Sequence, residues 1–364
     1  MNRLYYKSQT GLTLVELMIA MILSLLILAA IIQVFITNNQ SYRVTEAHSR
    51  LQENARFSLN TLSKDIRSAG YTGCRTIENM SVNTIAQDPV PNIMDETTII
   101  TGLNAETSAT WNSAPDANFG TVVGGTDLIT VQRASSCGGA LVNNVTSPTD
   151  AVQIALPNTC GITANDVLVL ADCENAHIFR ATAVANDTVN NIQTVSHAAG
   201  VTDNLTSRFC KSYGSPITDI ACATGEDKIY NYDSELLTFR AFTYFIRNGT
   251  NGDPALWRYN HSLLQSGNNP VELIEGIENM QALYGVDDNG DDIVDRYENA
   301  KTVEDGTLWG NVVSARVSLL AQTLEDNLTI ADRALTFDGV NISGADGKIR
   351  RVFTTTIGIR NRVQ

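Results

Sequence analysis

Leu17 to Ile36 is a run of twenty residues without Gly, Pro or a charged side chain, interrupted only by Ser24 and Gln33. As an α-helix it makes a rod of roughly 30 Å, the thickness of a bilayer core. The run passes directly into a polar stretch with no small-residue cut site after it, so it is not an ordinary secretory signal. Glu16 stands at its head. A carboxylate entering a membrane is costly unless a partner neutralises it. Two readings of Glu16 are open. It is a helix N-terminal carboxylate favoured by the macrodipole at headgroup level, or, if the chain is cut after Gly11, it pairs with the new α-amino group of Leu12 on a neighbouring copy. In the second case its burial depends on assembly.

The rest of the chain is of ordinary globular character, with 43% hydrophobic and 18% charged residues. Its 364 residues can hold one large or two modest domains. A formal net charge of −14 opposes unaided binding to nucleic acid or to an anionic membrane surface, so no nucleic-acid partner is expected. Arg3 and Lys7, ahead of the run, lie on the side that the positive-inside rule keeps cytoplasmic, which leaves the bulk of the chain outside the cytoplasm. Cys74, Cys137, Cys160, Cys173, Cys210 and Cys222 suit that oxidising side as disulfides. Proximity in sequence favours Cys160 with Cys173 and Cys210 with Cys222, leaving Cys74 with Cys137. No C-x-x-C occurs and the four His stand apart from the Cys, which argues against zinc.

The helix is expected to continue beyond the membrane. Thr37 to Ser68 contains neither Gly nor Pro, and Val44, Ala47, Leu51, Ala55, Leu59, Leu62 and Ile66 recur at steps of three and four. This stripe should pack on a head, with Arg43, Arg50, Glu53, Arg56 and Lys64 turned to water or to neighbours. Ala69-Gly70 reads as the helix stop. The expected organisation is therefore a leader at 1–11, a helix at 12–69 that spans the membrane to about Ile36, and a β-rich head at 70–364. Within the head, 70–230 is loop-rich and 231–364 forms a sheet.

From Thr76 to Cys222 the chain is rich in Asn, Thr, Ser, Gly and Asp, with short β-branched runs such as Leu128 to Val131 and Val167 to Leu170 that read as strands between long loops. Ala185 to Thr206 reads as loop. Leu236 to Phe245 alternates in a strand pattern, and a turn from Asn248 to Pro254 leads into Ala255 to Tyr259, which makes a β-hairpin. Further strands are expected at Gln281 to Val286, Val312 to Ala321 and Val352 to Arg360. The last reads as an edge strand with solvated arginines. The fold class is α+β: a long N-terminal helix packed on an antiparallel sheet.

One stretch has ion chemistry. Asp287, Asn289, Asp291, the Ile293 carbonyl, Asp295 and Glu298 fall at positions 1, 3, 5, 7, 9 and 12 of an EF-hand-like loop, a ligand set for calcium. Position 6 departs from the pattern, with Asp292 where a Gly eases the turn, and Gly290 takes over part of that role. An acidic, solvated hairpin turn is the competing reading. No enzyme signature is present: there is no G-x-S-x-G, P-loop or H-E-x-x-H, and His48, His177, His197 and His261 are isolated.

Gly11 followed by Leu-Thr-Leu-Val-Glu-Leu, behind a short basic leader, resembles the class III signal of type IV prepilins. Gly70-Tyr71-Thr72-Gly73-Cys74, Tyr284-Gly285-Val286-Asp287 before the acidic loop, and Arg350 to Asn361 resemble the PilW family of minor pilins. The resemblance implies cleavage between Gly11 and Leu12 by a prepilin peptidase, N-methylation of Leu12, and docking of Glu16 into a filament. Expected partners are other minor pilins, the major pilin, the inner-membrane assembly platform and a tip adhesin. The protein is then single-pass in the inner membrane with a periplasmic head, and later part of the pilus at the cell surface. Leu12 stands where Phe is usual, and Gln33 where major pilins often carry a kinking Pro, which implies a straighter helix. The implied role is initiation and assembly of pili near the tip. The alternatives are a minor pseudopilin of type II secretion, which shares the N-terminal signature, and a surface-binding module displayed on a pilin helix.

Overall fold

The computed structural model of the chain describes residues 11, 13–74, 76–87, 94–106, 110–213, 222, 225–262, 269–328, 334–342 and 344–362. Helix α1 runs unbroken from Leu14 to Arg67, through Gln33, over roughly 80 Å at the α-helical rise. Strands β1 Ser81–Thr84, β2 Ile100–Leu103, β3 Leu128–Ala140, β4 Val152–Ala155, β5 Val167–Ala171 and β6 Asn175–Arg180 follow. Next come β7 Ala183–Asp187, β8 Ile192–Ser196, β9 Glu235–Asn248, β10 Pro254–Asn260, β11 Val271–Glu275 and β12 Ile277–Val286. The chain closes with β13 Arg296–Glu298, the short helix α2 Ala300–Asp305, β14 Val312–Gln322, β15 Leu335–Phe337, β16 Val340–Ile342 and β17 Arg350–Gly358.

Two sheets carry the head. In the larger one β9 is central. One of its edges pairs with β3, while the other takes β5 at its start and β10 at its end. The second sheet has the order β13-β12-β14-β17 and is antiparallel throughout. The second half of α1 packs on β14 and β17, with further contacts to β11 and β3. Ala47, Leu51, Ala55, Leu62 and Ile66 of the expected stripe are buried, and Val44 and Leu59 are half-buried. Leu51, Ala55, Leu62 and Ile66 share one core with Val317, Leu319, Ala321 and Ile357. Each large aliphatic side chain taken from water there stabilises the docking by about 1.5–3 kcal/mol. Arg43, Arg50, Glu53, Arg56 and Lys64 are exposed.

A second core holds Ile85, Leu141, Val145, Leu168, Phe179, Val195, Phe209 and Tyr230, and no residue of α1 belongs to it. It fills the interior of the stretch with few strand signals. Ala185 to Thr206, expected as loop, contains most of a hairpin of β7 and β8. Val195 and Gln193 bury one face of β8, while Asp187 caps the turn by accepting from the amides of Val189 and Asn190 and Asn191 takes a left-handed φ of 56°. The two-residue alternation is short and polar on its outer face, so the sequence conceals it.

The disulfides join Cys74 to Cys173, Cys137 to Cys160 and Cys210 to Cys222. Only the Cys210–Cys222 pairing agrees with sequence proximity. The expected Cys160–Cys173 and Cys74–Cys137 bonds are replaced because the strands set the neighbours. β3 brings Cys137 to the 158–160 turn, where Thr159 N donates to the Cys137 carbonyl at 3.0 Å. Cys173 occupies the turn between β5 and β6, beside the segment that leaves α1.

Candidate assembly interface

Thr13 is extended (φ −78°, ψ 152°) and caps α1. Its hydroxyl accepts from Glu16 N at 3.3 Å, and the Glu16 carboxylate accepts from Thr13 N and from Thr13 Oγ1, each at 3.0 Å. This capping box satisfies two amides that a helix start leaves orphaned, and it holds Glu16 at the mouth of the helix. Both residues are exposed, as is Gly11, and Leu12, Arg3 and Lys7 lie outside the described residues. The next turns are apolar and exposed through Ile36, and the helix is long and apolar enough to cross a membrane. The polar Ser24 in this run donates its hydroxyl to the Met21 carbonyl at 2.8 Å, which satisfies it without a second chain.

Where α1 meets the head, its inner face carries two polar residues that the apolar periodicity does not reveal, Ser58 and Asp65, both buried. Arg133 of β3 bonds Asp65 Oδ1 through Nη2 at 2.7 Å and Nε at 3.1 Å, and Tyr244 of β9 donates its hydroxyl to Oδ2. Burial, with the Asp65 charge beside it, pushes the Tyr244 phenol well above its ordinary range. The available sequence signal was an acid at 65, between Leu62 and Ile66 on the apolar stripe. Asn54 Nδ2 adds a bond to the Glu275 carbonyl at 3.1 Å. Past the helix end, Gly70 has φ +72° and donates its amide to the Gln132 carbonyl at 2.9 Å. A Cβ there would come within 2.8 Å of Ile99 Cδ1, so only Gly allows the chain to turn onto β3.

The acidic loop between β12 and β13 closes on itself. Asp287 Oδ1 accepts from the amides of Asn289 at 3.1 Å and Gly290 at 2.7 Å, and Oδ2 accepts from Asp292 N at 2.8 Å. Asn289 and Asp291 each accept from the amide two residues on, at 2.9 Å. Gly290 and Asp292 both take left-handed φ, 78° and 65°. Asp295 accepts from Asp288 N at 2.8 Å, while Arg296 holds Asp288 and Glu298. Among the described residues no group of three or more His, Cys, Asp or Glu side chains stands ready for a metal. β17 is the sheet edge, with Arg351 and Arg360 exposed, but Arg350 is half-buried and bonded to Glu278 and Asp346.

Residues 243–361 match the family described as type IV pilus-assembly protein W, and residues 6–32 match the prokaryotic N-terminal methylation motif. No curated protein matches the chain significantly. Among solved structures, a type IV-like pilin from Thermus thermophilus aligns at 12% identity over 35% of this chain and 70% of that one, with a TM-score of 0.20. The chain thus has the N-terminal motif of prepilins and a PilW-type C-terminal region.

Proposed function

We propose that this chain, which begins with a prepilin methylation motif and ends in a PilW-type region, is a minor pilin that helps to initiate and assemble type IV pili near the filament tip. Its role is structural and not catalytic. One observation carries the reading. The helix that starts inside the methylation-motif match ends by packing on β14 and β17, both inside the PilW match.

In this reading a prepilin peptidase removes residues 1–11 at Gly11 and Leu12 is N-methylated. The freed amine then pairs with Glu16 of a neighbour as the helix leaves the membrane for the filament. The capping box supports this, because it presents the carboxylate at the helix mouth. The head stands in the periplasm before assembly and offers lateral contacts to other minor pilins, to the major pilin and to a tip adhesin.

The acidic loop is a proposed calcium site. The ligand spacing and the left-handed turn at Asp292 support it. Closing around the ion requires Glu298 to exchange Arg296 for calcium.

The test of the main reading is Gly11→Ala in the native gene, with surface pili counted by electron microscopy and secreted proteins assayed in parallel. Loss of pili with normal secretion is expected. Persistent pili with failed secretion would assign the chain to a secretion pseudopilus, and no change in either would remove the filament role.

A further inference from the structure

The last turns of α1 and the tail after β17 line a cleft of about 730 Å³ with Asn60, Lys64, Arg67, Tyr71 and Arg360 among others; none of its described lining residues is a carboxylate, and an acidic influence reaches it through the Glu235 charge felt by Tyr71. This is unusual ground in a chain of net charge −14. Basic residues in a last helical turn ordinarily serve the orphaned carbonyls and the macrodipole. Here other groups cap those carbonyls. Ser68 N bonds the Asp65 and Ile66 carbonyls, Arg360 N donates to the Arg67 carbonyl at 3.1 Å, and Asn361 Nδ2 to the Ala69 carbonyl at 2.9 Å. The helix end offers only about half a negative charge to offset three cations. Lys64, Arg67 and Arg360 are all exposed, and Arg56, Asn60, Lys64 and Arg67 follow one another on a single outward face of α1.

We propose that this cleft receives an acidic segment of a neighbouring pilin-type subunit, whose carboxylates sit among Lys64, Arg67 and Arg360. The minor-pilin reading supplies the neighbour, and the charge of the cleft supplies the binding chemistry. Guanidinium forks take carboxylates bidentately, and Asn60 and Tyr71 can bond the peptide groups between them. A lipid headgroup does not reach the site, because Lys64 lies 28 residues, roughly 40 Å, along the helix from Ile36. The chain's overall charge disfavours nucleic acid. The matching chemistry exists in this chain itself, in the segment from Asp287 to Asp295 with its five Asp residues.

The experiment uses the full chain in an uncharged detergent and a fluorescent peptide with the sequence of residues 287–295, read by anisotropy at low and high salt. Expected is saturable binding that salt weakens and that the triple change Lys64→Glu, Arg67→Glu, Arg360→Glu reduces at least about tenfold. A neutral triple variant, Lys64→Gln, Arg67→Gln, Arg360→Gln, should fall between, and unchanged melting temperatures show that each variant folds. No peptide binding, binding indifferent to the three charges, or capture of a sulfated polysaccharide without the peptide would each overturn the proposal. None of these outcomes bears on the pilus count after Gly11→Ala, so the two readings fail separately.

Discussion

Arg133 reaches from β3 to place Nη2 2.7 Å from Oδ1 of Asp65, a carboxylate buried on the inner face of α1. With the Tyr244 hydroxyl on the other oxygen, the carboxylate ties the helix to two strands of the larger sheet. Asp65→Ala leaves a guanidinium and a phenol without their partner in the core and should cost roughly 3–5 kcal/mol, read by urea unfolding. Replacing Asp65 and Arg133 together by apolar residues of similar size should restore much of this loss. If the single change costs under about 1 kcal/mol, the pair does not hold the helix to the head.

Glu16 has a local partner in Thr13 and, in the proposed assembly, a second in the Leu12 amine of a neighbour, and Thr13 separates the two. Thr13→Ala removes the hydroxyl from the capping box and should weaken the helix start by about 1 kcal/mol while sparing the carboxylate. Pilus numbers should therefore survive Thr13→Ala and collapse with Glu16→Ala, with both variants still in the membrane fraction. Equal losses would mean that Glu16 acts only as a cap.

The disulfides close loops of very different size, with sequence separations of 99 for Cys74–Cys173 and 12 for Cys210–Cys222. On the chain-entropy account, removing the first should cost roughly 4–5 kcal/mol and the second roughly 3 kcal/mol. Double Cys→Ser variants compared in urea should rank in that order. Peptide mapping without reduction should recover the 74–173 and 137–160 pairs.

Three histidines set an acid limit on stability. Burial lowers His177 to about 3 and His261 to about 4, and lowers His197 as well. His177 donates Nε2–H to the Cys210 carbonyl at 2.9 Å and accepts the Tyr230 hydroxyl at Nδ1, an arrangement that requires the neutral ring. The unfolded chain binds these protons below about pH 6.5 and the folded chain does not, so each His contributes stability that is complete above that pH. Each loses about 1.4 kcal/mol per pH unit as the pH falls towards its folded value. Asp127 acts oppositely. Burial raises it to about 6, so it binds its proton more tightly when folded and favours the acid side between about 3.9 and 6. The net expectation is a urea midpoint that drops from pH 7 to pH 4.5, less steeply in His177→Gln. A midpoint independent of pH would refute the assignment.

Calcium is tested through the fold. If the acidic loop closes on the ion, added calcium should raise the melting temperature and a chelator should reverse the rise, because a ligand that binds only the folded state stabilises it. Glu298→Gln should weaken the effect. A melting temperature that ignores both would leave the loop as the self-capped turn described above.

Local periodicity and short motifs made the unbroken helix legible, with its stripe from Ala47 to Ile66, the hairpin of β9 and β10, and strands β12, β14 and β17, but not the short, polar-faced hairpin of β7 and β8. A 3.6-residue or two-residue repeat is written in neighbouring residues and needs no partner to be read. Pairings between distant segments were not legible in the same way. Cys137 meets Cys160 because β3 sets the register, Asp65 is an anchor only because Arg133 and Tyr244 arrive opposite it, and Val195 is core only because it shares a buried cluster with Phe209 and Tyr230. The cleft beside Lys64 needs Arg360, 296 residues further along the chain. Tertiary structure decided these, because which groups share a dry interior or face a common cleft follows from strand order and register, and many sequences compatible with the same local patterns could have paired otherwise.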